Sequence, residues 1–235
     1  MECTPAIASL AEMITNQLKD GRRVWYIGDE VTGAKDAAEL YPTYGINTWG
    51  SIIAGGEAAL THAIQDAEKY PEAGWAQLQE AGIGKGDVVV GIGTNPYVLG
   101  ALEASEANGV DTGHITCAPY EGAPDTRLMV SCDVGEEVLP GSRKEAATGL
   151  MLTTLSTTVM ATGLRRVKDN KMVYMPVDGK NAKLLGRAIR MLEQFTGPIQ
   201  NRAYAEQLLI KHGSVGKVLE FKSSSQKGSD QSPSE

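Results

Sequence analysis

The chain has 235 residues, 42% hydrophobic and 22% charged, enough to bury one sizeable core near the upper end of single-domain length. A net charge of −7 and a pI near 5.1 leave no excess of Lys and Arg to neutralise phosphates, which argues against nucleic acid or an anionic membrane surface as partner. Cys3, Cys117 and Cys132 are odd in number and widely spaced, so neither a disulfide framework nor a zinc site is expected, and a reducing cytoplasm fits best.

An opening helix at about 5–19 carries Ile7, Leu10, Ala11 and Ile14 on one side and stops at the Gly21 turn. RVWYIGD (23–29) reads as the first strand, followed by the turn GDEVTGAKD and a short helix that Pro42 should end. NTWGSIIAG (47–55) is the second strand, and EAALTHAIQDAEK the helix after it. DVVVGIG (87–93) has no alternation, as expected of a strand covered on both faces, and leads into the turn GIGTNP. DTGHITCA (111–118) and RLMVSCDV (127–134) complete five strands. A long, largely apolar helix is expected over 142–164, with Ser142 as N-cap; helices through NAKLLGRAIRMLEQF and AYAEQLLIKHG follow. From Lys222 the chain is polar, so one domain over 1–221 and a disordered tail over 222–235 are expected.

Strands alternating with helices predict a three-layer α/β/α sandwich around a mainly parallel five-stranded sheet, with a ligand crevice beyond the carboxyl ends of the strands. No basic segment followed by an apolar one opens the chain, and GLMLTTLSTTVMATGL is too short and Thr-rich to span a bilayer, so no membrane association is expected.

Two carboxylates stand out. On a helix, Glu68 continues the row of Leu60 and Ile64 at the edge of an apolar stripe near the C-terminal end, where desolvation and the helix dipole favour a proton-transfer group; pairing with Lys69 is the blander account. Glu39 lies four residues after Lys35, so a surface ion pair is its blander account. In the turns after the first and third strands, backbone N–H groups with Thr32 or Thr94 could hold an anion, as could the helix start at Ser142, Arg143 and Lys144; ordinary turn and capping chemistry would also explain each. GIGTNP half matches a dinucleotide fingerprint, but Pro96 takes the third glycine's place and Asp111 begins, not ends, the next strand, so no nicotinamide cofactor is expected. His62 should face out from a helix and His114 lie in a strand, and neither they nor His212 has metal-ligand spacing. No nucleophile signature appears.

Taken in order, RVWYIG, DAAELYPTYG, IIAGGEAALTHAIQDAEK, DVVVGIG, PYVLGALEASEANG, VGEEVLPGSRKEAATGLMLTTLSTTVM and NAKL resemble the N-acetylmuramic acid 6-phosphate etherases of the sugar isomerase (SIS) domain superfamily, over about residues 5–197. The resemblance implies a flavodoxin-like fold, a homodimer with sites near the subunit interface, and a cytoplasmic lyase that removes D-lactate from C3 of a phosphosugar. It implies Glu39 as the acid for the leaving group and Glu68 as the base at C2. An ether oxygen leaves poorly and a sugar C2–H is weakly acidic, so one carboxyl must be protonated while the other is ionised. The substrate-binding set expected from the turns and the resembling segments is Thr32, Gly33, Glu57, Thr94, Asn95, Ser142, Arg143, Lys144, Asn181 and His212, with no metal and no organic cofactor.

The sequence departs from that family where phosphate should bind. Its first phosphate turn, typically Gly-x-Gly-Thr-Ser-Gly-Arg, reads GDEVTGA here, which brings in Asp29 and Glu30, and its Ser-Gly-Arg-Thr-Pro turn is cut to GTNP. Like charges oppose a phosphate dianion, and the donors that would hold it are missing. The family's C-terminal helical region is largely absent, although AEQLLIKHGSVGKVLEF resembles its closing segment, where His212 could serve as a lid residue or proton carrier. The expected function is an etherase-like lyase acting on a lactyl-type ether of an amino-sugar or sugar-acid derivative, not necessarily phosphorylated. A sugar phosphate isomerase of the same fold and a sugar-sensing protein without turnover are the alternatives.

Overall fold

The structure, a computed structural model, describes residues 3–62, 64–117, 120 and 127–229, the last five of these by backbone alone. All five expected strands form: β1 (Val24–Gly28), β2 (Trp49–Ile53), β3 (Val88–Ile92), β4 (Asp111–Thr116) and β5 (Leu128–Ser131). They pair in parallel in the order β2-β1-β3-β4-β5, with β3 buried along its whole length. From β1 the chain moves outward to β2, crosses back to β3 and continues away. Crossovers on the two sides of β1 and β3 therefore diverge, and this switch point leaves a crevice at the carboxyl ends of those strands.

Helices α1 (Thr4–Lys19), α2 (Thr32–Tyr44), α3 (Pro71–Glu80), α4 (Pro96–Ala107) and α5 (Ser142–Thr158) accompany the sheet. The expected 142–164 helix forms as α5 plus one π turn, Val159–Gly163. Small residues let α3 and α4 touch: a Cβ on Gly74 would sit 2.7 Å from the Tyr97 carbonyl oxygen, and one on Gly100 would collide with the backbone of Pro71.

Two local expectations fail. The helix expected through EAALTHAIQDAEK does not form; two 3₁₀ turns, Gly56–Leu60 and Ala67–Lys69, stand in its place, and Ala63 lies outside the described residues. Within that stretch Asp66 takes a left-handed φ of 64°, which a continuous right-handed helix cannot contain; Gly55 and Gly56, just ahead of it, are left-handed at 85° and 68°. The supposed buried row is open instead, with Leu60 and Ile64 at 49% and 40% exposure. Secondly, α2 does not stop at Pro42. Proline forfeits one hydrogen bond a turn from the end, and the helix closes at Gly45, whose φ of 72° lets its N–H reach the Tyr41 carbonyl at 2.9 Å.

Where one domain over 1–221 was expected, the chain packs as two compact units, Met1–Leu40 with Ile46–Leu164, and Tyr41–Gly45 with Arg165–Glu235. The second is built from α6 (Ala182–Thr196), α7 (Arg202–His212) and α8 (Val215–Ser229), around Val173, Met175, Ile189, Leu192, Leu209 and Val218. Helix α8 runs past Lys222 through the start of the expected tail. Its first turns are anchored by buried Val215 and Val218, and extending a formed helix needs no further apolar residues. Residues 230–235 of that expected tail lie outside the described residues.

Candidate active site

At the switch point a cleft of about 90 Å³ opens in the first unit. The turn after β1 supplies Asp29 and Glu30, the end of β3 and its turn supply Ile92, Gly93 and Thr94, the end of β4 supplies Thr116 and Cys117, and the first turns of α5 supply Lys144 and Thr148. Cys117 points its thiol at Thr148 Oγ1, 3.3 Å away, and burial pushes that thiol's pKa up. Beneath the cleft His114 is fully buried, its Nε2 2.6 Å from the Gly93 carbonyl oxygen, and burial pushes its pKa down, so it is a neutral support for the β3 turn.

The cleft is acidic. Asp29 and Glu30 still reach solvent, yet partial burial raises the pKa of each. The charge of Glu68 adds to the rise at Asp29, while a side-chain hydrogen bond with Asn95 offsets part of it. At Glu30 the carboxylates of Asp29, Glu145 and Glu137 add to the rise, and Lys144 opposes it.

Two helix starts along this edge of the sheet, those of α4 and α5, are already committed. At α4, Asn95 Oδ1 accepts from the Val98 N–H at 3.0 Å, and Pro96 has no N–H to offer. At α5, Glu137 folds back so that its Oε1 accepts from the N–H groups of Arg143 and Lys144 at 2.7 and 2.9 Å and its Oε2 from Gly141 at 2.8 Å. These N–H groups hold the Glu137 carboxyl below its usual range. The expected N-cap, Ser142, instead donates its hydroxyl to the Leu139 carbonyl at 2.8 Å, and the cap position belongs to Gly141 at φ 88°. At α2 the preceding turn is the Asp29–Glu30 pair itself.

Of the residues singled out from the sequence, Thr94 and Lys144 line the cleft, and Asn95 and Glu68 act on Asp29 beside it. Thr32 opens α2 facing Gly149 of α5, and Gly33 is buried, where a Cβ would press on Ile92 at 2.8 Å; its part is close packing of α2 on the sheet. Arg143 turns away to the carbonyls of Glu136 and Val134. Glu57 is exposed in its 3₁₀ turn. Glu39 is exposed on α2, with no hydrogen bond or ion pair to any described residue, so the single chain does not carry it into the cleft. His62 is exposed but on a turn, not a helix, with its Nδ1 2.8 Å from Thr61 Oγ1.

Asn181 and His212 belong to the second unit. Asn181 is occupied as the N-cap of α6, accepting from Lys183 and Leu184. His212 ends α7 with its ring 4.7 Å from that of Phe221. Sequence reasoning missed Cys117, Thr148 and Glu137. The first could have been found as the residue just past the strand DTGHIT, where crevice residues collect; Glu137 has no local signature, because its cap reaches across an irregular loop to N–H groups four to seven residues on.

Among the described residues no three His, Cys, Asp or Glu side chains group as a metal site, and no helix is long and apolar enough to cross a membrane. No family model matches the chain. Solved structures share its fold: the phosphoheptose isomerase of Neisseria gonorrhoeae superposes with a TM-score of 0.51 at 15% identity, covering 67% of this chain and 87% of that one. The phosphoheptose isomerase of Francisella tularensis does so with 0.51 at 16%, covering 68% and 87%. Likeness at this identity shows the sugar isomerase fold and nothing finer. In sequence, the chain is 40% identical over 230 residues to the N-acetylmuramic acid 6-phosphate etherase of Christiangramia forsetii, spanning 92% of this chain and 81% of that protein. It is 37% identical over 228 residues to that of Bacteroides fragilis, spanning 92% and 79%. Identity at this level across nearly the whole chain is family membership: the chain belongs to the N-acetylmuramic acid 6-phosphate etherase family.

Proposed function

We propose that the protein is a carbon–oxygen lyase that eliminates a lactyl-type ether from an amino-sugar or sugar-acid derivative, and that this substrate carries no phosphate at the end that enters the switch-point cleft. The observation that carries the reaction class is the 40% identity, across 92% of the chain, to a relative named for cleavage of such an ether. What supports the change of substrate is the charge of the cleft. Asp29 and Glu30 meet the incoming group, and the N–H groups at α4 and α5 that would cradle an anion are taken by Asn95 and Glu137.

In this reading Glu68 removes the proton from the carbon beside the ether-bearing carbon, the C–H pair forms the new double bond, and the C–O bond breaks with its electrons leaving on lactate. Glu39 gives that oxygen a proton. Glu68 is half-buried in the Ala67–Lys69 turn and electrostatically coupled to Asp29, which suits a base at the cleft edge. Glu39 faces solvent in one chain, and acting on a leaving group requires it to be covered; a homodimer would supply the cover. We place the enzyme in the cytoplasm. The substrate set adopted is Thr94, Asn95 and Lys144, with Asp29 and Glu30 added.

The test is release of lactate from N-acetylmuramic acid and from its 6-phosphate, followed with lactate dehydrogenase. Release from the unphosphorylated sugar at the higher kcat/KM supports both parts. Release from the phosphate ester alone removes the substrate claim, and saturable binding with no lactate from either sugar removes the lyase in favour of a sensor.

A further inference from the structure

The second unit contains a cavity of about 490 Å³ that the proposed reaction does not use, a size within the range of small-ligand sites. Its wall is formed by Tyr41, Arg166, Tyr174, Asp178, Ser214 and Lys217, all from this unit. Tyr174 is fixed on several sides. The Arg166 guanidinium lies 4.8 Å from its ring centroid, its hydroxyl donates to Glu220, and the first turn of α8 presses so close that a Cβ on Gly216 would come within 2.8 Å of the ring. Buried Ser214 starts α8, its hydroxyl oxygen accepting from the Lys217 N–H at 3.4 Å. A wall whose aromatic and backbone parts are fixed before binding loses little order when a ligand arrives.

The charges at this wall are unbalanced. Among the described residues neither Arg166 nor Lys217 has a carboxylate within ion-pair distance, in a chain whose net charge is −7. Asp178 also lines the cavity, but its Oδ1 is turned to the Lys180 N–H at 2.9 Å, and Glu220 is engaged by Tyr174. Lys168 and Lys171, stacked on Phe195, add to the positive field of the same unit. A guanidinium and an ammonium without acids are receptors for an oxyanion, and the half-exposed ring of Tyr41 with Pro176 gives a flat apolar surface for a ring-shaped body.

We propose that this cavity is a second binding site, distinct from the switch-point cleft, for a small ring-bearing molecule with a phosphate or comparable oxyanion group, held by Arg166 and Lys217 with its ring against Tyr41. The proposal does not rest on the lyase reading. Isothermal titration of the full chain with glucose 6-phosphate, glucose and inorganic phosphate reads it directly. Saturable binding of glucose 6-phosphate is expected, at least tenfold tighter than glucose. Arg166→Gln and Lys217→Gln should each weaken it at least fivefold with the melting temperature held, Arg166→Lys should recover part of the loss, and Lys144→Gln in the other cleft should leave it unchanged. Inorganic phosphate binding as tightly as the ester would keep the oxyanion receptor and remove the ring contact. No saturable binding, equal affinity for glucose, or loss caused by Lys144→Gln alone would overturn the proposal.

Discussion

The carboxylate of Glu137 accepts a hydrogen bond from the backbone N–H of Lys144 at 2.9 Å, so the chain fills the start of α5 with its own anion. The same carboxylate takes the N–H groups of Arg143 and Gly141, leaving little for an external phosphate at that helix. In Glu137→Ala those groups are freed. The expected outcome is a lower melting temperature together with a new protection by inorganic phosphate, measured by thermal shift at 1 and 20 mM phosphate. A variant that is destabilised but indifferent to phosphate would show that the helix start cannot receive an outside anion.

In the proposed function, Asp29 and Glu30 carry the discrimination against a phosphorylated sugar. Burial raises both pKa values, so lowering the pH neutralises these two before ordinary carboxylates, and the preference for the unphosphorylated substrate should shrink as pH falls. Asp29→Asn with Glu30→Gln should mimic that at neutral pH. We expect the ratio of kcat/KM values to move about tenfold toward the phosphate ester, about 1.4 kcal/mol. An unmoved ratio would clear the two residues of this role.

Glu68→Gln should abolish incorporation of solvent deuterium at the carbon beside the ether and lower kcat by at least a hundredfold, with substrate binding retained. In a stepwise elimination, where proton removal precedes departure of the leaving group, Glu39→Gln should lower lactate release while leaving that exchange measurable. Unchanged exchange in Glu68→Gln, read by mass spectrometry in D₂O, would assign the base elsewhere.

Stability at low pH turns on Glu106 and Arg127. The Arg127 side chain is 1% exposed, with Nε and Nη2 2.7 and 3.1 Å from the two oxygens of Glu106, and Thr112 Oγ1 adds a donor at 2.6 Å. Burial alone would raise the Glu106 pKa, but the bonds from Arg127 and Thr112 outweigh it and the net shift is downward. A carboxyl with a depressed folded pKa contributes stability above its unfolded value, and that contribution is lost as pH falls through the folded one. Glu106→Gln strands a buried guanidinium and should cost about 3 kcal/mol at pH 7 in urea unfolding, and less below pH 4.

Asp36 ties α2 to the sheet and to α5, accepting from Tyr26 Oη at 3.1 Å and Ser156 Oγ at 3.1 Å, while burial raises its pKa. A neutral amide of the same shape can still accept one of these bonds. Asp36→Asn should therefore change stability by less than about 1 kcal/mol, whereas Asp36→Ala, which takes the acceptor from the Tyr26 hydroxyl and leaves Ser156 Oγ only the Thr153 carbonyl at 3.4 Å, should cost about 2 kcal/mol. Because Glu39 lies one turn further along α2, Asp36→Ala should also lower lactate release more than Asp36→Asn.

The five strands were legible because unbroken apolar runs such as Val88 to Ile92 mark a strand buried on both faces whatever surrounds them. Glu39 and Glu68 were legible as motif positions, through DAAELYPTYG and the stretch after IIAGGE. Their surroundings were not. The helix expected beneath Glu68 gives way to turns at the left-handed Asp66, and the periodicity of Leu60 and Ile64 carries no information about backbone sign. The acid pair after β1 was visible, but its coupling to Glu68 joins residues far apart in the chain, and the capture of α5 by Glu137 depends on how the irregular loop before that helix folds back. The sequence by itself determined the strands, the sheet class and the family, since these follow from local composition and aligned motifs. Only the tertiary structure decided which N–H groups are taken, which charges meet, and that, among the described residues, neither Arg166 nor Lys217 has a carboxylate within ion-pair distance. Those are distances across space, and residue order does not encode them singly.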